Sequence, residues 1–349
     1  MKKRLKIFLL VAALIVVAFI IIISSGARVF SDWLWFDNLG FLNTFLVMFF
    51  TNFWIRIAIG LIFTVFIYIN LQFTKKPILS FIKTSSEPSE DNVEALFNKQ
   101  SEGISEWLNK KRLTYIYILS SIILGFLFSS IGQEAWKTVL RFFNKTSFNN
   151  TDPIFNNDIG FYVFNLPFYN FIRELSMVLI LLTLVVIAIL YIFTAGINSF
   201  SDLKYKLSTR AKSHMTVLVL LFMFIKAWDY WLQKYDLLYS PRGVAFGASY
   251  TDIHANLLGL RILMVLAIVI GLLFVYSLFR RNYRLILWGL GTWLLVSFIF
   301  SGIYPGLVQQ FRVEPNEINR EKEYIGYNIE KTLGAYDLDN IQRENFKVD

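Results

Sequence analysis

The chain has 349 residues, of which 56% are hydrophobic and only 17% are charged. Soluble domains carry about 25% charged residues, so this composition indicates a protein embedded in a lipid bilayer. The net charge is +9, but the basic residues cluster beside apolar runs, which is typical of membrane topology and not of a nucleic-acid-binding surface. With no cysteine and two histidines, the chain has no disulfide, thiolate site or histidine-rich metal centre, and we expect no cofactor.

Seven apolar runs predict an all-α membrane protein with about seven transmembrane helices in residues 1–303. The first run is longer than the ~7–15 apolar residues of a signal peptide, so we expect an uncleaved anchor. Each run has about the 20 residues that cross ~30 Å of hydrocarbon. The predicted spans are residues 5–24, 53–73, 113–131, 171–193, 214–234, 257–278 and 285–303.

Two connecting segments have their own helical signals. Residues 28–45 combine aromatic side chains with occasional charges, which predicts a short helix on the outer surface. Residues 77–112 carry a narrow apolar stripe at helical spacing. Two interpretations of that stripe remain open, an amphipathic helix on the inner membrane surface and a solvated linker helix.

Basic residues are distributed unevenly between the two sides of the predicted bundle. The segments on the N-terminal side hold 18 lysines and arginines, whereas the three opposite loops hold six. The positive-inside rule therefore places the N-terminus inside and, after seven spans, the C-terminus outside the cell membrane. We expect structured extracytoplasmic loops and, at residues 304–349, the start of a soluble extracytoplasmic region. In that region Asn316 is suited to cap a helix that starts near Glu317, and Gly334 to end it.

The strongest candidate for an intramembrane site is the pair Lys226 and Asp229. These residues are three positions apart in the fifth span, so they share one helix face. An unpaired charge there costs at least ~3 kcal/mol, so both side chains should face the bundle or a polar cleft. One interpretation is an ion pair that fixes helix register; the other is an ion path or a polar substrate site. Weaker candidates for such a site lie near outer span ends: Arg56, Glu174 and Arg261.

The outer loops contain two further polar patterns. Asp252 and His254, with Arg261 beyond them, form a weak candidate for acid–base or metal chemistry, and the alternative is a set of surface polar residues. The oxygen-rich segment at residues 152–160 contains calcium-like ligands. Its spacing does not fit an EF-hand loop, so we predict a hydrogen-bonded turn and no metal site.

Three stretches of the chain carry a family resemblance. They are TDPIFNNDIGFYVFNLPF at 151–168, YSPRGVAFGASYTDIHANLLGLRIL at 239–263 and YPGLVQQFRVEPNEINREKEYIGYNIEKTLGAYDLD at 304–339. Together they resemble uncharacterised protein family 0182, whose members are large bacterial multi-pass membrane proteins of undefined biochemical role. The resemblance implies a seven-helix N-terminal region followed by a much larger extracytoplasmic domain, so we expect this chain to be part of a longer protein. It implies no catalytic residues.

These observations give three functional hypotheses. The first is a cell-membrane protein that anchors and orients an extracytoplasmic region for binding or envelope assembly, with outer loops 132–169 and 233–256 beneath that region. The alternative is a transporter or channel that uses Lys226 and Asp229. A membrane enzyme with its site near Asp252 and His254 is the weakest of the three. The expected partners are the lipid bilayer and an extracytoplasmic protein or the remainder of a longer chain, without nucleic acid.

Overall fold

A computed structural model of the chain describes residues 26–84, 109–194, 207–280 and 284–338, with the separate positions 19, 23, 24, 282 and 341. Within these ranges the chain forms helices and loops, and its sole β-type pairing is an isolated bridge between Thr151 and Asp158. The predicted all-helical character is confirmed.

The helices are numbered in chain order over the described residues. Helix α1 covers residues 26–38. The others are α2 Leu42–Thr84, α3 Lys110–Phe128, α4 Ala135–Phe143, α5 Leu166–Thr194, α6 Thr209–Asp236, α7 Leu257–Arg280, α8 Arg284–Phe298, α9 Tyr304–Val308 and α10 Glu317–Ala335.

Short π and 3₁₀ turns extend several of these helices, and the described residues contain six helical segments long and apolar enough to cross a membrane. These segments are Leu42–Ser80, Lys110–Gln133, Phe161–Thr194, Thr209–Tyr239, Asp252–Arg280 and Arg284–Ala335. The predicted spans from 53–73 onward each fall within one of them. Most of the predicted span 5–24 and most of the connecting segment 77–112 lie outside the described residues.

Helix α2 is longer than the predicted second span at both ends. A turn with Gly40 at a φ of 74° follows α1, and α2 then begins at Leu42 and runs for 43 residues. Residues 43–59 contain neither glycine nor proline, so the membrane helix already begins at Leu42, and the predicted surface helix over residues 28–45 is wrong at its C-terminal end. The helix also continues past Pro77, which lacks an N–H and removes one backbone hydrogen bond without ending the helix.

The bundle core forms where α2, α3, α5 and α6 meet. Phe63, Ile67, Ile187 and Leu218 are buried there, and a second buried group lies between α6, α7 and α8. Helices α2 and α3 cross closely, because an added Cβ at Gly125 would overlap the Thr64 side chain and the Gly60 carbonyl oxygen. Small residues at such crossings let membrane helices approach each other, since lipid gives little hydrophobic drive for association.

The loops at one end of the bundle pack against the C-terminal helix. We call this the outer layer, after the side on which the distribution of basic residues predicts it; it consists of residues 144–160, 237–256 and 309–335. Helix α10 begins at Glu317 as predicted, but Asn316 does not cap it, since its side-chain oxygen accepts a hydrogen bond from the Asn319 amide at 2.7 Å. The helix ends at Ala335, one residue beyond the predicted Gly334.

Candidate functional site

The Asp229 carboxylate is the centre of a charged cluster between α5 and α6. Its Oδ1 accepts a hydrogen bond from Nη1 of Arg173 at 2.7 Å. Its Oδ2 accepts from the Lys226 ammonium and, at 2.8 Å, from the Gln233 amide. The side chains of Asp229, Arg173 and Lys226 are 7%, 16% and 18% exposed, so the cluster is largely removed from the surface.

Helical spacing accounts for three of the four residues in this cluster. Lys226, Asp229 and Gln233 lie at intervals of three and four residues on α6, so their side chains project from one face. That face meets α5, which brings Arg173 from 56 positions earlier in the chain. The Lys226–Asp229 pair is present, and Arg173 extends it to a cluster of three charged residues.

The cluster is closed, because each of its cations is hydrogen-bonded to a carboxylate. Arg173 also donates from Nη2 to the Glu174 carboxylate at 2.9 Å, and Glu174 is 67% exposed. Two carboxylates therefore face two cations, which limits the cost of burying Asp229. Neither Lys226 nor Asp229 lines the surface clefts of about 720, 500 and 340 Å³. Both carboxylate oxygens of Asp229 accept hydrogen bonds within the cluster, and this geometry fixes α5 against α6.

Arg173 was not predicted as a partner of Asp229. The sequence feature that could have revealed this partner is the arginine itself, because it lies inside the predicted span 171–193, where a charged side chain requires an opposite charge. Glu174, which was a weaker candidate, reaches the cluster through this arginine. Arg56 lines the 720 Å³ cleft instead.

Asp252 and His254 have separate roles in the outer layer. Asp252 is buried, and its Oδ2 accepts from the backbone N–H and hydroxyl of Ser249 at 3.1 and 2.8 Å. Its Oδ1 accepts from the Asn256 amide at 2.7 Å. These bonds occupy the carboxylate at the start of the helical segment that leads into α7.

His254 stacks on the Tyr250 ring with centroids 4.0 Å apart, and its Nδ1 lies 3.1 Å from the Tyr250 carbonyl oxygen. Arg261 is exposed and forms no ion pair with the residues that the structure describes. The three predicted residues are therefore not joined by direct hydrogen bonds. No group of three or more His, Asp or Glu side chains suited to a metal occurs among the described residues.

The predicted hydrogen-bonded turn at residues 152–160 is present, and Asp158 organises one side of it. Its carboxylate accepts from the Ser147 hydroxyl at 2.6 Å and from the backbone N–H groups of Phe148, Asn149 and Gly160. These hydrogen bonds, led by the one from Ser147, hold the pKa of Asp158 below its usual range.

Asp152 organises the other side of the same turn. Its carboxylate accepts from the backbone N–H groups of Ile154 and Asn157 at 2.9 and 2.8 Å, and from the Tyr162 hydroxyl at 2.7 Å. Both carboxylates are thus occupied by N–H and O–H donors. The oxygen atoms that resemble calcium ligands in the sequence stabilise loop structure.

Helix α10 is fastened to both outer loops by polar contacts. The Glu321 carboxylate, whose residue is 3% exposed, accepts from the backbone N–H of Tyr250 at 3.2 and 3.1 Å. The Lys331 ammonium donates to Asn150 Oδ1 at 2.9 Å and to the Thr151 carbonyl oxygen at 3.1 Å. Together these contacts connect the C-terminal helix to the start of α7 and to the loop before α5.

Two further contacts complete the outer layer. The Asn328 amide donates to the Phe246 carbonyl oxygen at 2.8 Å, and the Thr251 hydroxyl donates to Gln309 Oε1 at 2.5 Å. The outer layer therefore has polar connections along most of α10.

A second polar group lies at the opposite end of the bundle and was not predicted. His214 of α6 pairs through Nε2 with Asn70 Oδ1 of α2 and through Nδ1 with the Tyr191 hydroxyl of α5, each at 2.9 Å. Nearby, the hydroxyls of Thr74 and Tyr117 lie 2.7 Å apart and link α2 to α3. These bonds connect four helices.

Comparison with known proteins gives one consistent family. The model of the Uncharacterised protein family (UPF0182) matches residues 8–349. A UPF0182 protein of Desulforamulus reducens is 37% identical over 330 residues, which cover 93% of this chain and 35% of that protein. Similar proteins of Pelotomaculum thermopropionicum and Moorella thermoacetica are 35% and 34% identical and cover 94% and 95% of this chain.

The chain spans about a third of the length of these relatives: 35%, 35% and 36%. No solved structure matches the chain.

Proposed function

The chain belongs to the uncharacterised protein family UPF0182, and we propose that it is a cell-membrane anchor that orients an extracytoplasmic region for binding or envelope assembly. The observation that carries this proposal is the attachment of α10 to both outer loops. Glu321 binds the backbone at Tyr250, and Lys331 binds Asn150 and Thr151.

Helix α10 is coupled to the bundle in two ways. Residues 284–335 form one nearly continuous helical run, which leads from the membrane segment α8 through α9 into α10. The polar contacts then fasten α10 laterally. A chain segment that follows such a helix would leave the membrane in a fixed direction.

The greater length of the relatives supports the existence of a further region in the whole protein. This chain covers 35% of the Desulforamulus reducens protein and 35% of the Pelotomaculum thermopropionicum protein. The positive-inside distribution supports an extracytoplasmic position for it. The closed cluster around Asp229 favours anchoring over transport, because a transport path needs polar groups that a substrate can reach.

Distance measurements between spin labels test whether α10 is held in one orientation. The chain has no cysteine, so Lys137→Cys and Tyr336→Cys introduce a unique label pair on the exposed surfaces of α4 and the end of α10. We expect one narrow distance distribution in lipid nanodiscs. Glu321→Ala with Lys331→Ala should broaden it, because both side-chain attachments of α10 are then lost.

Glu323→Ala is the matched control, since Glu323 accepts only a local hydrogen bond from Tyr327 on the same helix among the described residues. It should leave the distribution narrow. A broad distribution in the unaltered chain, or an unchanged one in the double variant, would contradict the proposed orienting role.

A further inference from the structure

The outer half of α2 carries a row of polar and small residues that the anchoring role does not use. Asn52, Arg56, Gly60 and Thr64 are spaced four residues apart, so they lie along one face of the helix. This face borders an open cleft of about 720 Å³ between α1, α2, α3 and α4. That volume is within the range of about 300–1,000 Å³ typical of small-molecule sites.

Helix packing explains three members of this row. Gly60 and Thr64 contact Gly125 at the α2–α3 crossing, and the Asn52 amide donates to the Gln133 carbonyl oxygen at 3.1 Å. Arg56 has no comparable explanation. Its guanidinium forms no hydrogen bond or ion pair with the residues that the structure describes.

The aliphatic part of the Arg56 side chain is nevertheless held in place by packing. An added Cβ at Gly132 would lie 3.3 Å from Cγ of Arg56, so the arginine packs against the 3₁₀ turn between α3 and α4. Trp136, one turn farther along the chain, lines the same cleft, and tryptophan is enriched at the membrane–water interface. A neighbouring tryptophan is typical of the depth where lipid headgroups meet the apolar region.

A complementary charge borders the cleft from the other side. Asp32 of α1 lines it, is exposed, and forms no ion pair with the described residues. The cleft thus presents one cation and one anion that are not paired with each other. Between and below them the walls are apolar and aromatic, with Phe53, Leu61 and Phe126 among their residues.

We propose that this cleft binds one phospholipid with a zwitterionic, primary-amine headgroup. The guanidinium of Arg56 would bind the phosphate, a geometry for which arginine is suited by its planar fork of donors. The Asp32 carboxylate would bind the ammonium group. One acyl chain would follow the apolar wall of α2 and α3. A net anionic headgroup fits less well, because Asp32 would repel it.

Native mass spectrometry of the full chain tests this assignment. The protein is delipidated in mild detergent and then titrated with phosphatidylethanolamine or with phosphatidylglycerol of identical acyl chains. We expect retention of one phosphatidylethanolamine in preference to phosphatidylglycerol. Arg56→Gln should weaken this binding roughly tenfold, the effect of losing one charge-assisted contact. Asp32→Asn should remove the preference between the two headgroups.

Two controls separate binding from folding. Arg141→Gln removes an exposed arginine of α4 that does not line the cleft, and it should bind lipid as the unaltered chain does. Arg56→Lys keeps the charge and should retain more lipid than Arg56→Gln. Circular dichroism and size-exclusion chromatography verify that each variant is folded.

Several outcomes would overturn the assignment. One is that the folded Arg56→Gln variant binds phosphatidylethanolamine as tightly as the unaltered chain does. Another is that the unaltered chain binds the two lipids equally. A third is that the unaltered chain binds no lipid, which we would expect if another segment of the chain fills the cleft. Displacement by soluble phosphoethanolamine at equal concentration would show a headgroup site without a lipid role, and it would also overturn the proposal. None of these results bears on the orientation of α10.

Discussion

Asp229 accepts hydrogen bonds from side chains of two helices, so its charge is coupled to how α5 packs against α6. Removing one partner from a buried ion cluster costs about 3–5 kcal/mol, because the remaining charges lose their compensation. Replacing all members by apolar residues of similar size is often nearly neutral. The cluster around Arg173, Lys226 and Asp229 therefore allows a test of its structural role.

We expect Asp229→Leu to destabilise the protein by about 3–5 kcal/mol, because two cations would remain without their shared carboxylate. The triple variant Arg173→Met, Lys226→Met, Asp229→Leu should recover most of that loss. Thermal unfolding monitored by size-exclusion chromatography in detergent measures both effects. Glu174→Gln is the control; with Glu174 67% exposed, its change should stay below about 1 kcal/mol.

The opposite pattern would show that the cluster has a role other than packing. A triple variant that is no more stable than Asp229→Leu would contradict the structural interpretation. So would an Asp229→Leu variant as stable as the unaltered chain.

Only part of this cluster could be predicted from the sequence. The three-residue spacing predicts that Lys226 and Asp229 share a face, because that information is local to α6. The contact with Arg173 depends on which face of α5 turns inward. Apolar residues surround a membrane helix on every side, so the hydrophobic pattern does not identify that face.

At the scale of one element, the loop before α5 depends on the ionised form of Asp158. Its four hydrogen-bond donors favour the carboxylate and hold its pKa below the ordinary value of 3.8. A carboxyl group with a lowered folded-state pKa stabilises the fold above its unfolded pKa. That contribution is lost as pH falls through the folded-state pKa.

We therefore expect Asp158→Asn to lower the unfolding temperature at pH 7, with a difference that closes as pH falls below 3.8 toward the lower folded-state pKa. Thermal unfolding of both proteins between pH 7 and pH 3 measures this convergence. Asp37→Asn, which changes a carboxylate outside the loop, should show no such trend. A constant difference between Asp158→Asn and the unaltered chain at all pH values would contradict the mechanism.

Element positions were predictable where the signal was local. Hydropathy predicted apolar helices from the second to the seventh run, and the asparagine-rich turn was predicted from its composition. The start of α2 at Leu42 was missed, because an aromatic interfacial helix and the outer end of a membrane helix share the same composition. The Glu321 contact with Tyr250 was not predictable, since it joins residues 71 positions apart.

At the scale of the molecule, α6 connects the polar groups at the two ends of the bundle. His214 near its start contacts α2 and α5, and Asp229 near its end contacts α5. The residues between are mainly apolar, and Leu218 and Met223 are buried. Polar contacts thus fix the ends of the bundle, while close packing fills its middle.

This arrangement makes the orientation of the two ends testable. If the segments that hold 18 basic residues face the cytoplasm, the inner end contains the start of α3, and α10 lies outside. Lys111 and Tyr336 are exposed positions at these two ends. Because the chain lacks cysteine, each position can receive the single thiol of the protein.

We expect Tyr336→Cys to react with a membrane-impermeant maleimide in intact cells, because the distribution of basic residues predicts that α10 lies outside the cell. Lys111→Cys should react only after the membrane is permeabilised. Gel-shift analysis of the labelled protein measures both reactions, and a permeant maleimide verifies that each thiol is reactive. Labelling of Lys111→Cys but not Tyr336→Cys in intact cells would show that the topology is the reverse of the predicted one. That result would remove the basis for an extracytoplasmic anchoring role.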